Sequence, residues 1–265
     1  MFKKLYNEAK ITYILKTLSP LYIKSGKNDS LNPTGVDDSF LRVYKDGDLV
    51  PVLPGTSIKG VFRSRAEKIL KGSCDLFNSK KNCASKVNKK KDDGTARYDK
   101  SCPACKLFGS TVLKSRVLFG DAYPEGEYKV GSRQTVAIDR ITGASKKSAL
   151  FDLEYVEDAL FKGEIEIQNF FRWHIKVLTQ LFEEVNDGFV VFGGLTSKGF
   201  GRMKLDDFQI KLKYYDKSKC GKDYVDKGFY MEKTINSFEE LQNTIKNISL
   251  TADEIGRCEY NEQAL

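Results

Sequence analysis

The stretch PVLPGTSIKGVFRSRAEKIL, residues 51–70, contains the clearest boundary between two elements in this chain. Residues Leu49 to Leu53 have β character, and Pro54-Gly55-Thr56 then turns the chain into a helix. The apolar residues of that helix recur at helical spacing. They are Ile58, Val61, Phe62, Ala66, Ile69 and Leu70. A strand that leads directly into an amphipathic helix is therefore the first predicted unit of the fold.

Outward from this unit, strand and helix patterns follow one another along the chain. Strands are predicted for Ile11 to Ile23, Arg116 to Tyr123 and Phe161 to Phe170. The segment from Phe171 to Val185 has the pattern of an amphipathic helix, and residues 188–213 have the pattern strand, glycine-rich loop, strand. This order of elements predicts an α+β fold with a ferredoxin-like or RRM-like core.

Two segments depart from this pattern. Residues 72–101 are short of apolar side chains and carry runs of lysine, which indicates a surface insertion. The tail from Tyr214 is lysine-rich at first. It then shows capping-box spacing at Ser237-Phe238-Glu239-Glu240, which predicts a short helix.

The composition favours a polyanionic partner. The chain has 265 residues, a formal net charge of +8 and a pI near 9.0, and such a surface attracts nucleic acid or an anionic membrane. Met1 to Lys10 lacks the apolar region of a signal peptide, and no stretch approaches the length of a membrane span. We therefore expect a cytoplasmic protein, in which cysteines serve as metal ligands or buried thiols rather than as disulfides.

Four of the six cysteines lie in or next to the insertion, at Cys74, Cys83, Cys102 and Cys105. The last two form a Cys-x-x-Cys knuckle, and four thiolates suit a tetrahedral structural Zn²⁺ that orders a segment lacking its own core. A redox dithiol at Cys102 and Cys105 is the alternative.

The segment Gly193-Gly194-Leu195-Thr196-Ser197-Lys198-Gly199-Phe200-Gly201-Arg202 suits a phosphate backbone. Glycines let the main chain approach a ligand closely, while backbone N–H groups, hydroxyls and the two cations can donate to phosphate oxygens. The spacing fits neither the Walker pattern nor the dinucleotide fingerprint. A tight turn between two elements is the alternative.

Catalytic candidates are few. His174 is the single histidine and lies within a predicted helix, which disfavours histidine-dependent catalysis. Asp37 and Asp38 end a loop of turn-forming residues and could hold a hydrated divalent cation or position a 2′-hydroxyl, although a solvated loop is the alternative.

Four blocks of sequence, in a consistent order, resemble the RAMP (repeat-associated mysterious protein) superfamily, and most closely the backbone subunits of type III CRISPR effector complexes. The blocks are Gly35–Ser39, Pro51–Ser64, the stretch from Leu107 through Asp121 to Gly143, and Gly193–Arg202. The cysteine insertion resembles that of zinc-bearing relatives.

The resemblance implies a single RAMP domain over residues 1–265. Its RRM-like palm comprises about 8–71, 106–125 and 154–213, with a zinc-binding insertion at 72–105, a thumb-like hairpin at 126–153 and a C-terminal extension at 214–265. It implies guide RNA, complementary target RNA, other effector subunits and further copies of the chain as partners. The residues expected to bind RNA are Lys24, Ser57, Lys59, Arg63, Arg65, Arg140, Gly193, Gly194, Ser197, Lys198, Gly199, Gly201 and Arg202.

The resemblance also implies that a loop aspartate cleaves the paired target RNA with Mg²⁺ or Mn²⁺. Asp38 is the first choice because Ser39 follows it, and a one-residue shift would give the role to Asp37. Other readings stay open. They are a non-cleaving scaffold or capping subunit of the same complex, a metal-independent repeat-processing endonuclease, and a zinc-stabilised RNA-binding module outside CRISPR systems.

Overall fold

A computed structural model of the protein describes residues 3–26, 38–75 and 78–265, and for residues 147–149 it describes the backbone alone. The strands are β1 Asn7–Thr17, β2 Arg42–Lys45, β3 Asp48–Pro51, β4 Val117–Phe119, β5 Tyr123–Pro124, β6 Lys129–Ile138, β7 Ser145–Glu157, β8 Leu160–Gln168, β9 Met203–Tyr214, β10 Val225–Asp226 and β11 Met231–Ile235. The helices are α1 Gly55–Ile69, α2 Cys83–Lys86, α3 Gly94–Asp99, α4 Pro103–Phe108, α5 Arg172–Asn186, α6 Phe238–Ile245 and α7 Ala252–Gly256.

The main sheet has the strand order β10-β11-β9-β1-β8-β4, with β5 also paired to β8. Each pair of neighbouring strands is antiparallel. In chain order β1, β4, β8 and β9 are the first to fourth strands of a palm, and α1 and α5 follow the first and the third. Their spatial order, fourth-first-third-second, is that of a ferredoxin-like sheet. The predicted α+β fold with an RRM-like palm is therefore confirmed.

Buried and more exposed residues alternate strictly along the central strand β1, so that one face of the strand packs on the core. Tyr13 faces the core opposite Gly163 of β8. A Cβ at Gly163 would lie 2.4 Å from the Tyr13 hydroxyl oxygen. The glycine therefore leaves room for the tyrosine ring within the sheet.

The helices α1 and α5 cover one face of the palm and meet through aromatic rings. Phe182 of α5 packs against Tyr13, Phe62 of α1 and Phe208 of β9, with ring centroids 5.3, 5.2 and 5.7 Å away. All four rings are buried. The Arg65 side chain of α1 also pairs with Glu184 of α5. The core thus fixes the position of α1, the helix predicted from residues 51–70.

Three predictions of regular structure are wrong in whole or in part. The strand predicted for Ile11 to Ile23 is β1, which begins at Asn7 and ends at Thr17, and within residues 18–23 only Leu21 forms a β-bridge, to Val156. The segment before the glycine-rich loop is not a strand, because the N–H groups of Phe189 and Val190 bond to the Glu184 carbonyl at 2.9 and 3.1 Å and close the end of α5. Residues 116–123 do not form one strand. After β4, Ala122 leaves the β8 ladder and exchanges two 2.9 Å backbone bonds with Leu53.

The segments outside the palm have defined structure. The insertion, expected to be irregular, contains α2 and α3, each with a side-chain cap from Asn82 or Asp93 on its N-terminus. The thumb-like segment is a two-stranded ribbon of β6 and β7. None of the helices in the described part of the chain has the length and apolar character needed to cross a bilayer.

The C-terminal extension packs onto the palm. Strands β10 and β11 add to the sheet beside β9, and α6 buries Leu241 and Ile245. The predicted cap is present, because the Ser237 hydroxyl accepts a 3.1 Å hydrogen bond from the Glu240 N–H.

We predict that Phe182→Ala lowers the free energy of unfolding by about 3–5 kcal/mol, because it leaves a cavity among four aromatic partners, the three named above and Phe238. Phe229→Ala is the control, since Phe229 is 91% exposed, and its cost should stay within about 0.5 kcal/mol. Denaturant unfolding of both variants measures the difference. Equal costs would contradict the assignment of Phe182 to the centre of the core.

Candidate nucleic-acid interface and metal cluster

The glycine-rich loop, residues 193–202, displays its polar residues to solvent. Thr196–Lys198 form a single 3₁₀ turn, preceded by Leu195 at φ 57° and followed by Gly199 at φ 88°. The side chains of Ser197, Lys198 and Arg202 are exposed. Within the described residues, neither Lys198 nor Arg202 has a side-chain hydrogen bond or an ion pair. The loop therefore offers two unpaired cations and a hydroxyl on one short segment, as phosphate contacts require.

Two glycines of the loop are required by close approaches of the backbone. A Cβ at Gly193 would lie 2.2 Å from the Tyr22 carbonyl oxygen, and one at Gly201 would lie 1.9 Å from the Phe192 carbonyl oxygen. Both residues also have positive φ, 77° and 83°, a conformation that strains any residue with a side chain. Because they lack a Cβ, Gly193 and Gly201 let the loop backbone lie directly against the carbonyl groups of Tyr22 and Phe192.

Tyr22 connects the loop to Asp38. Its carbonyl accepts a 2.8 Å hydrogen bond from the Gly194 N–H, and its hydroxyl donates to Asp38 Oδ2 at 3.1 Å. Burial, together with the neighbouring Asp38 carboxylate, raises the pKa of Tyr22 to about 12. The hydroxyl therefore keeps its proton and remains a donor at neutral pH.

Asp38 is held by three further contacts. Lys24 Nζ lies 2.5 Å from Asp38 Oδ1. The Asp38 N–H donates to the Asp152 carbonyl, and the Glu154 N–H donates to the Asp38 carbonyl, both at 3.0 Å. About a quarter of the Asp38 side chain, 26%, is exposed. Asp37 lies outside the described residues.

The segment after Asp38 is attached to the hairpin by an arginine–carboxylate pair. Arg42 binds both oxygens of Glu154, at 2.6 and 2.8 Å, and Glu154 also accepts from the Phe40 N–H at 2.9 Å. The Arg42 guanidinium is the main cause of the lowered pKa of Glu154. The loop that carries Asp38 is thus attached to β7 and to Tyr22.

The predicted cations of α1 face other partners. Arg63 donates to Glu67 at 2.8 Å, to the Gly109 carbonyl at 2.9 Å and to Cys105 Sγ at 3.5 Å. Lys59 donates to the Ser115 hydroxyl at 3.2 Å. The pKa of Lys59 is lowered, mainly by burial and to a lesser extent by the positive charge of Arg63. Arg65 is paired with Glu184. Contact of these three with RNA stays a prediction.

Ser57 and Arg140, the other two residues expected to bind RNA, belong to different elements. Ser57 is in the first turn of α1. Arg140 is exposed in the turn that joins β6 to β7, where the Asp139 carboxylate accepts hydrogen bonds from the Ile141 and Thr142 N–H groups at 2.9 Å. The structure therefore brings together Lys24, Asp38 and the glycine-rich loop, and leaves Arg140 at the far end of the ribbon.

The open face of the palm sheet differs from that of RNA-binding RRM domains, which stack bases on aromatic side chains of the two central strands. The exposed positions of β1 and β8 alternate with the buried ones and include no aromatic residue. Lys10 and Glu164 form a 2.8 Å ion pair there. The loop edge of the palm is therefore the better candidate for RNA.

The four predicted metal ligands meet. The Sγ atoms of Cys74, Cys83, Cys102 and Cys105 all lie within 4.8 Å of one another. Cys74 Sγ and Cys105 Sγ are 3.8 Å apart, and a tetrahedral Zn²⁺ with bonds of about 2.3 Å would set its sulfurs about 3.8 Å apart. The cluster could therefore hold a metal ion such as zinc.

Two donors outside the cysteine side chains point at sulfurs of the cluster. The Cys102 N–H donates to Cys83 Sγ at 3.1 Å, and Arg63 brings a positive charge to Cys105. Hydrogen bonds from the thiols of Cys105 and Cys83 lower the pKa of Cys102, and the same hydrogen bonds raise the pKa values of Cys83 and Cys105. Four thiolates at this spacing require a cation, since like charges this close repel each other. Arg63 thus connects α1 to the cluster.

His174 is buried within the core. Its Nδ1 accepts a 3.0 Å hydrogen bond from the Phe171 N–H, and its Nε2 lies 3.3 Å from the Tyr98 hydroxyl. Complete burial lowers its pKa well below 6.5. The imidazole is therefore neutral, and, because Nδ1 accepts, Nε2 carries the proton.

Sequence reasoning missed Tyr22, Arg42 and Glu154. Their partners lie far away in the sequence: Arg42 and Glu154 are 112 positions apart, and the Tyr22 carbonyl accepts from the Gly194 N–H. Periodicity carries no signal for such long-range contacts.

The family model of the RAMP superfamily matches residues 14–204. The chain belongs to this superfamily. The match includes Asp38, the insertion, the hairpin and the glycine-rich loop, and it ends within β9. No curated protein matches the chain. Membership associates the chain with CRISPR systems and with RNA binding.

We predict that Gly201→Ala destabilises the protein by about 3 kcal/mol or more, because the added Cβ meets the Phe192 carbonyl in a strained backbone conformation. Gly199→Ala is the matched control, since it shares positive φ but has nothing within 4 Å of its Cβ position. Its cost should be about 1–2 kcal/mol. Thermal unfolding compares the two, and a Gly199 variant as unstable as the Gly201 variant would contradict the close approach.

Proposed function

We propose that the chain is a guide-RNA-binding backbone subunit of a type III CRISPR effector complex that cleaves complementary target RNA. The observation that carries this proposal is the junction at Tyr22. One residue there holds the phosphate-binding loop through its carbonyl and the Asp38 carboxylate through its hydroxyl. An RNA backbone on the loop would therefore lie beside an acidic side chain.

In this proposal the loop aspartate, Asp38 or its neighbour Asp37, acts on the target strand with Mg²⁺ or Mn²⁺. A divalent cation suits carboxylate ligands, and when bound it would neutralise the negative charge that develops on the scissile phosphate. The carboxylate would orient the 2′-hydroxyl. Lys198 and Arg202 would hold phosphates of the guide strand.

A second candidate is a scaffold or capping subunit that binds guide RNA without cutting. One observation favours it: the Asp38 carboxylate already pairs with Lys24 and accepts from Tyr22. A carboxylate with two protein partners can serve to fix the loop on the hairpin. Target cleavage separates the two candidates, because both bind RNA.

We expect Asp38→Asn to lower target cleavage by the assembled, guide-loaded complex roughly 100-fold or more. The amide retains an oxygen that can accept from Tyr22 but loses the charge. Cleavage of labelled complementary RNA in Mg²⁺ or Mn²⁺ measures the effect, with Asp37→Asn beside it. Asp206→Asn, an exposed acid on β9, is the control and should cut normally.

The outcomes assign the role. Loss of cutting only with Asp38→Asn identifies Asp38 as the acid, and loss only with Asp37→Asn moves the role by one residue. Bound but intact target with the unmodified chain would reject the cleavage proposal and favour the scaffold.

We also propose that the four-cysteine cluster holds a structural Zn²⁺. Cys74, Cys83, Cys102 and Cys105 would supply the four ligands. The metal would order the insertion, whose own apolar core is small, since binding energy at such sites contributes directly to folding.

We predict that Cys102→Ser releases about one zinc ion per chain and loosens residues 72–105 while the palm stays folded. Elemental analysis measures the metal, and hydrogen exchange measures the insertion and β1 separately. Cys220→Ser is the control, because Cys220 lies outside the cluster. Retention of stoichiometric zinc by the Cys102 variant would reject the site.

A further inference from the structure

Arg133 lies midway along β6, opposite Leu153 of β7, and next to the glycine-rich loop. Its guanidinium carbon is 5.0 Å from the ring centroid of Phe200 and 5.6 Å from that of Tyr155. Phe200 belongs to the loop, and Tyr155 belongs to β7. The arginine therefore covers the point where the hairpin meets the loop.

The rings beneath Arg133 are themselves fixed. Tyr155 and Phe200 meet edge to face with centroids 5.9 Å apart, and Phe200 packs with Tyr22 and Leu153 in a small apolar cluster. Gly131 leaves space for the tyrosine, because a Cβ there would lie 2.6 Å from the Tyr155 ring. The guanidinium thus rests on a preorganised aromatic surface.

The hydrogen-bonding groups of Arg133 are unused. Across the described residues, its side chain has no ion pair and no hydrogen bond, and the residue is exposed. This contrasts with Lys129 on the same strand, which pairs with Asp158 at 2.6 Å. A stacked guanidinium loses little conformational entropy on binding and presents its N–H groups in a fixed fork.

We propose that Arg133 is an RNA-binding residue that holds a phosphodiester of the strand on the glycine-rich loop. This inference rests on the proposed RNA-binding function. The fork of an arginine fits two phosphate oxygens at once, which a lysine cannot reproduce. Together with Lys198 and Arg202, Arg133 gives the junction a third unpaired cation, contributed by the hairpin rather than by the loop.

The test is the affinity of the full chain for a labelled oligouridylate, measured across a series of salt concentrations. Each phosphate contact with single-stranded RNA contributes about 0.7 to the slope of log affinity against log salt. Arg133→Gln should lower that slope by about 0.7 and weaken binding roughly tenfold. Arg133→Lys should keep the slope, because the charge remains, and still weaken binding several-fold.

Two controls complete the design. Lys129→Gln should leave slope and affinity unchanged, because its charge is already paired with Asp158. Lys198→Ala should lower the slope through the loop itself. The thermal unfolding temperature of every variant is measured as well. If Arg133 has only a structural role, both Arg133 variants should be less stable and the salt slope of RNA binding should not change.

That structural pattern would overturn the proposal, as would an Arg133→Gln variant that binds like the unmodified chain. If Lys198→Ala still lowers the slope in that case, the proposed RNA-binding function stands and only the role of Arg133 fails. If the unmodified chain does not bind the oligouridylate, the proposed function and the role of Arg133 fail together.

Discussion

The carbonyl oxygen of Tyr22 lies only 2.2 Å from the position that a Cβ on Gly193 would occupy. This close approach lets the glycine-rich loop bond to the chain just after β1, through the Gly194 N–H. The same tyrosine then reaches Asp38 through its hydroxyl. The loop, the acidic segment and the hairpin base are therefore fixed to one another through a residue that is itself buried.

The candidate RNA-binding surface therefore lies at the loop edge of this RRM-like sheet, and not on its open face as in RNA-binding RRM domains. The open face carries ion-paired charges such as Lys10 and Glu164. The unpaired cations instead surround the loop, which displays Lys198 on its 3₁₀ turn. Lys59, Arg63 and Arg65 of α1 have partners within the protein, and Arg63 connects that helix to the four-cysteine cluster. One helix thus joins the palm core to the insertion.

Sequence patterns were sufficient for elements whose apolar residues recur at a regular period. The strand β1, the helices α1 and α5 and the cap of α6 follow the predicted order, and the Cys-x-x-Cys spacing led to the cluster. The failures have physical causes. Apolar residues 189–192 resemble a strand, but Phe189 and Val190 close the end of α5 because their N–H groups bond to the Glu184 carbonyl. The aromatic surface under Arg133 joins two segments far apart in the chain, which no local pattern records.

The central claim is that RNA lies along the loop edge of the palm rather than on its open face. Ultraviolet cross-linking of guide RNA in the assembled complex, followed by mass spectrometry of the linked peptides, tests this most directly. The account predicts links within residues 193–202 and at the hairpin base around Tyr155. Links confined to the exposed positions of β1 and β8, with none at the loop, would contradict it.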